Sequence, residues 1–147
     1  MQDEVVFKFD QGAFFSGSLE YTITRKDGNY HFDGYFYNDF VNMPPVSFDV
    51  TYEEIEELLE AMKPAHRWKR KYETLFDVYD GFGYTLISRF DSCRVNSEGY
   101  ECYPMNYVSV ITNLQEKIED LCLKKDPDRY DHKGRAERIK LVLAAKS

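Results

Sequence analysis

A chain of 147 residues fits one domain and can bury a core without metals or a disulfide framework. Hydrophobic residues at 43% and aromatics at 16% exclude a disordered chain, and 12 Tyr with 11 Phe favour a sheet-rich one. The net charge of −7 is uneven: 124–147 holds eight Lys or Arg against four Asp or Glu, so residues 1–123 carry −11, a body that repels phosphate backbones.

Residues 4–9 (EVVFKF) read as a first strand. Residues 18–25 and 30–37 form a hairpin about Asp27-Gly28, a two-residue turn signal. That loop sets the register: Ile23 faces Phe32, Tyr21 faces Gly34 and Leu19 faces Phe36. One face then carries Leu19, Tyr21, Ile23, Phe32 and Phe36; the other carries Glu20, Thr22, Thr24, His31, Asp33 and Tyr35. Pro44-Pro45 breaks the chain before a short strand over Val46–Val50. Thr51 and Glu54 match a capping box, with Val50 and Ile55 placed as a hydrophobic staple. Ile55, Leu58, Leu59 and Met62 make one helical stripe, so a helix over 52–62 is expected, ending at Pro64.

From 65 to 79, Trp68, Tyr72, Leu75, Phe76 and Tyr79 recur at helical spacing. Trp68 to Tyr72 is expected to be helical, while 74–79 reads equally as helix or as a strand running into Asp80-Gly81. A strand over 82–90 follows, with Phe82, Tyr84, Leu86 and Phe90 on one side. A second hairpin is expected over 91–103 with Asn96-Ser97-Glu98-Gly99 as its loop. It pairs Val95 with Tyr100, Arg94 with Glu101 and Cys93 with Cys102. Asn106 is placed to cap a last main helix that buries Tyr107, Ile111, Leu114, Ile118 and Leu121. Beyond 123 the chain reads as a short helix over 135–145, with Ala136, Ile139, Val142 and Leu143 as its apolar face, or as a mobile basic tail.

These elements predict an α+β domain over 1–123 and a basic C-terminal tail over 124–147. An antiparallel sheet of about five to seven strands carries helices 52–62 and 106–122 on one face.

Motifs that carry chemistry are scarce. No GxSxG, HExxH or Gly-rich phosphate loop occurs. His31 near Asp33 and Thr22 has the residue types of a base and its orienter, but a solvated strand face explains them more simply. Glu73, Asp77 and Asp80 lack the ligand spacing that a hard cation needs, so no metal and no cofactor is expected. Cys93 and Cys102, if paired across the second hairpin, would have β-carbons roughly 4.5–5.5 Å apart. That separation permits a disulfide, which a reducing compartment would leave open. Cys122 falls beside the buried stripe of the last helix. No secretory leader and no apolar run of ~20 residues is legible, so a cytoplasmic protein without a membrane segment is expected.

The leading functional expectation is a non-enzymatic protein-binding module of the inhibitor, immunity or adaptor kind. It docks another protein, basic or not, through Tyr30, Tyr35, Tyr37 and Tyr52 with Glu53, Glu56, Glu57 and Glu60. One alternative is a small enzyme or ligand-binding domain with a pocket between sheet and helices, using His31 or Asp77. The other is nucleic-acid binding through Arg67, Lys69, Arg70 and Lys71 around Trp68, together with the basic tail. The acidic body opposes that last reading. The simpler expectation for 65–72 is an internal join: Trp68 and Tyr72 enter the core, and the cations offset the acidic helix just before them.

Overall fold

The computed structural model describes residues 3–13, 17–37, 45–73 and 82–144. Its strands are β1 (Glu4–Ala13), β2 (Gly17–Lys26), β3 (Asn29–Tyr37), β4 (Val46–Val50), β5 (Lys71–Glu73), β6 (Gly83–Phe90) and β7 (Cys93–Tyr100). They form one sheet in the order β4-β3-β2-β1-β6-β7-β5. Every pairing is antiparallel except that of β5 with β7. Helices α1 (Tyr52–Met62), α2 (Tyr107–Lys125) and α3 (His132–Ala144) complete an α+β fold.

The first hairpin forms as its sequence dictates. Asp27 and Gly28 take φ of 52° and 81°, the two positive values that a tight hairpin turn of this hand requires. Ile23 pairs with Phe32, Tyr21 with Gly34 and Leu19 with Phe36, and all five of these large side chains are buried. β1 lies mid-sheet, and its Phe7 and Phe9 are fully buried under the helices.

α1 starts at the expected capping box. The Thr51 amide donates to Glu54 Oε1 at 2.9 Å, and the Glu54 amide donates to Thr51 Oγ1 at 3.2 Å. Such a cap contributes ~1 kcal/mol. Ile55, Leu58, Leu59 and Met62 are buried, as their spacing requires. Glu54 has a second role. Lys124 Nζ lies 3.0 Å from its Oε2 and Lys125 Nζ 3.1 Å from its Oε1, which ties α1 to the end of α2. Burial alone would raise this carboxyl, but the Thr51 amide and the two lysines outweigh it and bring it down to about 2. A depressed acid contributes stability above its ordinary value of 4.5 and loses it as pH falls toward about 2. We therefore expect Glu54→Gln to remove ~1–2 kcal/mol at pH 7 and almost nothing near pH 2, read by urea melts across that range.

The second hairpin differs from expectation. β6 and β7 are joined at Asp91-Ser92, with Phe90 opposite Cys93, Leu86 opposite Ser97 and Gly83 opposite Tyr100. The supposed loop 96–99 is strand because its polar residues alternate: Asn96 faces solvent, whereas Ser97 turns inward and bonds Tyr84 Oη at 2.8 Å. Cys93 opens β7 and Cys102 lies beyond its far end, so no cross-strand pair forms, and all three thiols are free. Gly99 sits under Tyr84: a β-carbon there would come within 2.4 Å of Tyr84 Cε1 and of the Cys102 carbonyl.

The stretch from Trp68 to Tyr72 is also not helical. A 3₁₀ turn over Lys63–Ala65 ends α1, and the chain then runs out into β5. The aromatic pair fits this path as well, because Tyr72 enters the sheet opposite Gly99. Residues 74–81, with Leu75, Phe76, Asp77, Tyr79 and Asp80, lie outside the described residues.

α2 buries Tyr107, Ile111, Leu114, Ile118 and Leu121 as expected. Asn106 stands at its N-cap without a capping side-chain bond. Its side chain accepts from Trp68 Nε1 at 2.8 Å and donates to the Pro64 carbonyl at 3.3 Å instead. α3 is longer than expected and rotated: Gly134, Arg138, Leu141 and Val142 are buried, whereas Leu143 is 45% exposed. Buried polar groups draw it into that orientation. Arg138 forms a bidentate pair with Glu119 at 2.8 and 2.6 Å. Gln115 and Tyr130 also donate to that carboxylate, at 2.6 and 2.7 Å. Burial would lower the Arg138 guanidinium, but Glu119 holds it well above its ordinary value. Near the other end of α3, Gln11 Nε2 donates to the Leu141 carbonyl at 2.9 Å, and Tyr107 Oη donates to Gln11 Oε1 at 2.5 Å.

Candidate functional site

With the helices on one side, no helix among the described residues lies on the other face of the sheet. Its residues follow from the register. One row across the strands runs Tyr35, Glu20, Asp10, Thr85, Glu98 and Lys71. The next row runs Tyr37, Ser18, Gly12, Gly83 and Tyr100. Tyr35, Tyr37 and Tyr100 are 40%, 38% and 41% exposed. The rings of Tyr35 and Tyr37 stack at 6.5 Å with only 7° between their planes.

On this face lies a trough of about 290 Å³ lined by Gly12, Ser18, Gly83, Asp10, Glu20 and Glu98, among others. Gly12 faces Gly83 in its floor, and the chain is close-packed there: a β-carbon on Gly12 would come within 2.5 Å of the Gly17 carbonyl, and one on Gly83 within 3.2 Å of the Gly99 carbonyl. Two acids face each other at its edge, Asp10 and Glu20, an unfavourable cross-strand pairing. Lys8 reaches one Asp10 oxygen at 3.4 Å, while the other has no hydrogen-bond partner. Burial pushes the Asp10 carboxyl up; Lys8 offsets part of this and Glu20 adds to it. Glu98 is matched by Arg70 at 2.9 Å.

At the β4 edge of the same face stands a hydrogen-bonded cluster. His31 Nδ1 lies 2.8 Å from Asp49 Oδ1, and His31 Nε2 lies 2.6 Å from Ser47 Oγ. Ser47 Oγ in turn donates to Asp33 Oδ1 at 2.8 Å. The sequence pairs His31 with Asp33 and Thr22 only. Ser47 and Asp49 become visible once Val46–Val50 is laid beside β3, where alternation turns both to this face.

The eight expected docking residues divide between two surfaces. Tyr35 and Tyr37 are on the sheet face opposite the helices. Tyr30 and Tyr52 belong to the helix side, packed with Phe90 at 5.8 and 6.0 Å and with each other at 6.4 Å. Glu53, Glu56, Glu57 and Glu60 are exposed on α1, where Glu60 pairs with Lys63 at 2.7 Å.

The basic stretch is an internal join of a different kind from that expected. Trp68 stacks on Tyr107 at 5.7 Å and meets Tyr84 edge-on at 6.0 Å. Arg70 turns to Glu98 and Lys71 to Glu73, the latter at 2.7 Å, so these cations serve the β5–β7 edge and not the acidic helix. Lys69 lies 6.0 Å over the Tyr72 ring, and Arg67 is exposed. The acidic helix takes its cations from the end of α2, at Glu54, and from Lys63, at Glu60.

Between the sheet and helices α2 and α3 is a cavity of about 40 Å³, lined by Tyr21, Phe36, Glu119, Cys122, Tyr130 and Arg138, among others. That is room for a few waters. Among the described residues no group of three His, Cys, Asp or Glu is placed to hold a metal ion, and no helix is long and apolar enough to cross a membrane. No protein-family model, no curated protein and no solved structure matches this chain.

Proposed function

We propose that the protein is a binding module that docks another protein on one face of its sheet, with Tyr35 and Tyr37 as the anchor. One observation carries this reading: two tyrosine rings held parallel and exposed on the sheet face opposite the helices, beside Glu20 and Asp33. Stacked tyrosines offer large contact area at little entropic cost. The neighbouring carboxylates favour a partner bearing Lys or Arg. The reading places the protein in the cytoplasm, where Cys93, Cys102 and Cys122 stay reduced. The acids of α1 form a separate surface in this account.

The test is site-specific photo-crosslinking with a benzophenone amino acid at position 35 or at position 57. We expect a defined partner to be captured from position 35 and lost when Tyr37→Ala and Glu20→Lys are added. Capture from position 57 alone would move the docking site to α1 and overturn the reading.

A second reading has one observation in its favour. Ser47, His31 and Asp49 are linked hydroxyl to imidazole to carboxylate, the order that acyl transfer uses. Asp33 competes for the Ser47 proton, and Asp49 is 89% exposed, so the cluster also serves as a clip between β3 and β4. A fluorophosphonate probe separates the two roles. For a clip, wild-type protein stays unlabelled at Ser47; labelling that vanishes in His31→Ala would establish a nucleophile.

A further inference from the structure

We propose that Asp27-Gly28, the tip of the first hairpin, is a site of spontaneous aspartate isomerisation. The fold exposes this dipeptide to the reaction and shields the same dipeptide at Asp33-Gly34. The inference is independent of the docking reading above.

The chemistry needs only the chain and water. The Gly28 amide nitrogen attacks Cγ of the protonated Asp27 carboxyl. A C–N bond forms, the Cγ–OH bond breaks, and the amide hydrogen leaves with that hydroxyl as water. The product is a five-membered succinimide. Water then opens the ring at one of its two carbonyls. Attack at Cγ restores aspartate. Attack at the former main-chain carbonyl gives isoaspartate, in which the chain runs through Cβ and Cγ and the old main-chain carbonyl carbon becomes a free carboxylate. One water leaves and one returns, so no oxidant or other reactant is required.

Three features of the tip favour ring closure. First, the attacking nitrogen belongs to a glycine, which has no β-carbon to obstruct it. The surroundings leave space as well, since a β-carbon built on Gly28 would meet nothing within 4 Å. Second, Asp27 is exposed, and no group among the described residues holds its carboxyl in a hydrogen bond or ion pair. Third, the tip lies outside the ladder, which ends at the pair Lys26–Asn29. Asp27 has φ of 52°, a left-handed conformation that is unfavourable for a residue with a side chain, so leaving the turn geometry recovers part of that cost.

Asp33-Gly34 differs in each respect. Gly34 is buried and pairs with Tyr21 on one side and with Val46 on the other. A β-carbon there would lie 2.9 Å from Val46 Cγ2 and 3.0 Å from Tyr21 Cδ1. The Asp33 carboxylate accepts from Ser47 Oγ at 2.8 Å. Ring closure at this position requires opening β3 from both neighbours, whereas a loop tip opens at far lower free energy. Isomerisation at Asp27 also has a structural consequence. It adds a backbone carbon to a two-residue turn whose geometry sets the hairpin register.

The full chain is held warm at neutral pH for weeks, folded in buffer or unfolded in urea. Isoaspartate is then counted by an isoaspartate carboxyl methyltransferase with labelled S-adenosylmethionine, after dilution of the urea. Electron-transfer fragmentation assigns it residue by residue and separates these two sites from a third Asp-Gly, Asp80-Gly81, which lies outside the described residues. In the folded protein, isoaspartate at position 27 is expected to exceed that at position 33 at least about tenfold. In urea the two positions are expected to become similar. Asp27→Glu, which would need a larger ring, is expected to remove the signal at position 27, with circular dichroism verifying its fold. An unmodified Asp27 in the folded protein, or one that only matches Asp33, overturns the inference. So does an equal excess of position 27 in urea, because flanking sequence and not the turn would then decide.

Discussion

Glu119→Ala is expected to lower the unfolding free energy by about 3–5 kcal/mol in urea titrations, the usual cost of leaving one half of a buried ion pair behind. Glu119 is 2% exposed and Arg138 7%. The substitution removes both bonds from Arg138 to that carboxylate and leaves the guanidinium only the Asp131 side chain at 3.5 Å and the Asp131 carbonyl at 2.9 Å; it removes the acceptor of Gln115 and Tyr130 as well. Hydrogen exchange should show the effect concentrated in α3, whose buried face has only Gly134, Leu141 and Val142 besides the arginine. A double variant, Glu119→Leu with Arg138→Met, is expected to recover only part of the loss, because it removes the buried guanidinium but leaves Gln115 Nε2 and Tyr130 Oη without that acceptor. A loss below about 1 kcal/mol for Glu119→Ala would mean that the apolar contacts and the Asp131 bonds suffice to hold α3.

Gly99→Val is expected to cost at least about 1–3 kcal/mol, the range for overpacking. Even the first added carbon meets two obstacles at 2.4 Å, and one of them, the Cys102 carbonyl, is backbone that cannot rotate aside. The other obstacle is the Tyr84 ring, tied by its hydroxyl to Ser97 and packed against Tyr103 and Tyr107 at 5.7 and 4.6 Å. Trp68 is part of the same cluster and is the only tryptophan, so its fluorescence reports the displacement directly. An unchanged emission maximum together with wild-type stability would contradict this account of the glycine.

The parts of the fold legible in sequence are those whose information is local. Asp27-Gly28 alone sets the turn, and the alternation of Leu19, Tyr21 and Ile23 agrees with it. Thr51 and Glu54 mark the α1 start within four residues. Errors arise where distant groups decide. Asn96-Ser97-Glu98-Gly99 has the composition of a loop, and only the presence of Tyr84 across the sheet makes Ser97 and Gly99 good inward residues. Trp68 and Tyr72 have helical spacing, yet Asn106 and Tyr107 claim the indole while Gly99 pairs with the tyrosine. The orientation of α3 is set by Glu119, whose charge on α2 outweighs the apolar claims of Ala136 and Leu143. The candidate site follows the same division. Tyr35 and Tyr37 were readable as outward residues from the hairpin alone. Gly12, Gly83, Ser47 and Asp49 acquire meaning only when strand order is known, because β1 meets β6 across most of the chain.

The bond from Gln11 to the Leu141 carbonyl joins residues 130 apart in sequence. During synthesis, the amide of Gln11 leaves the ribosome long before its acceptor does. At ~5–20 residues per second, the wait is of order ten seconds. Over that interval β1 can pair with β2, but its second edge stays bare until β6 has emerged. An uncovered strand edge bearing Phe7 and Phe9 is the kind of surface that chaperones shield and that seeds aggregation. The central position of β1 thus leaves the nascent chain vulnerable until β6 emerges to pair its second edge, and the Gln11 bond forms only once the last helix has followed.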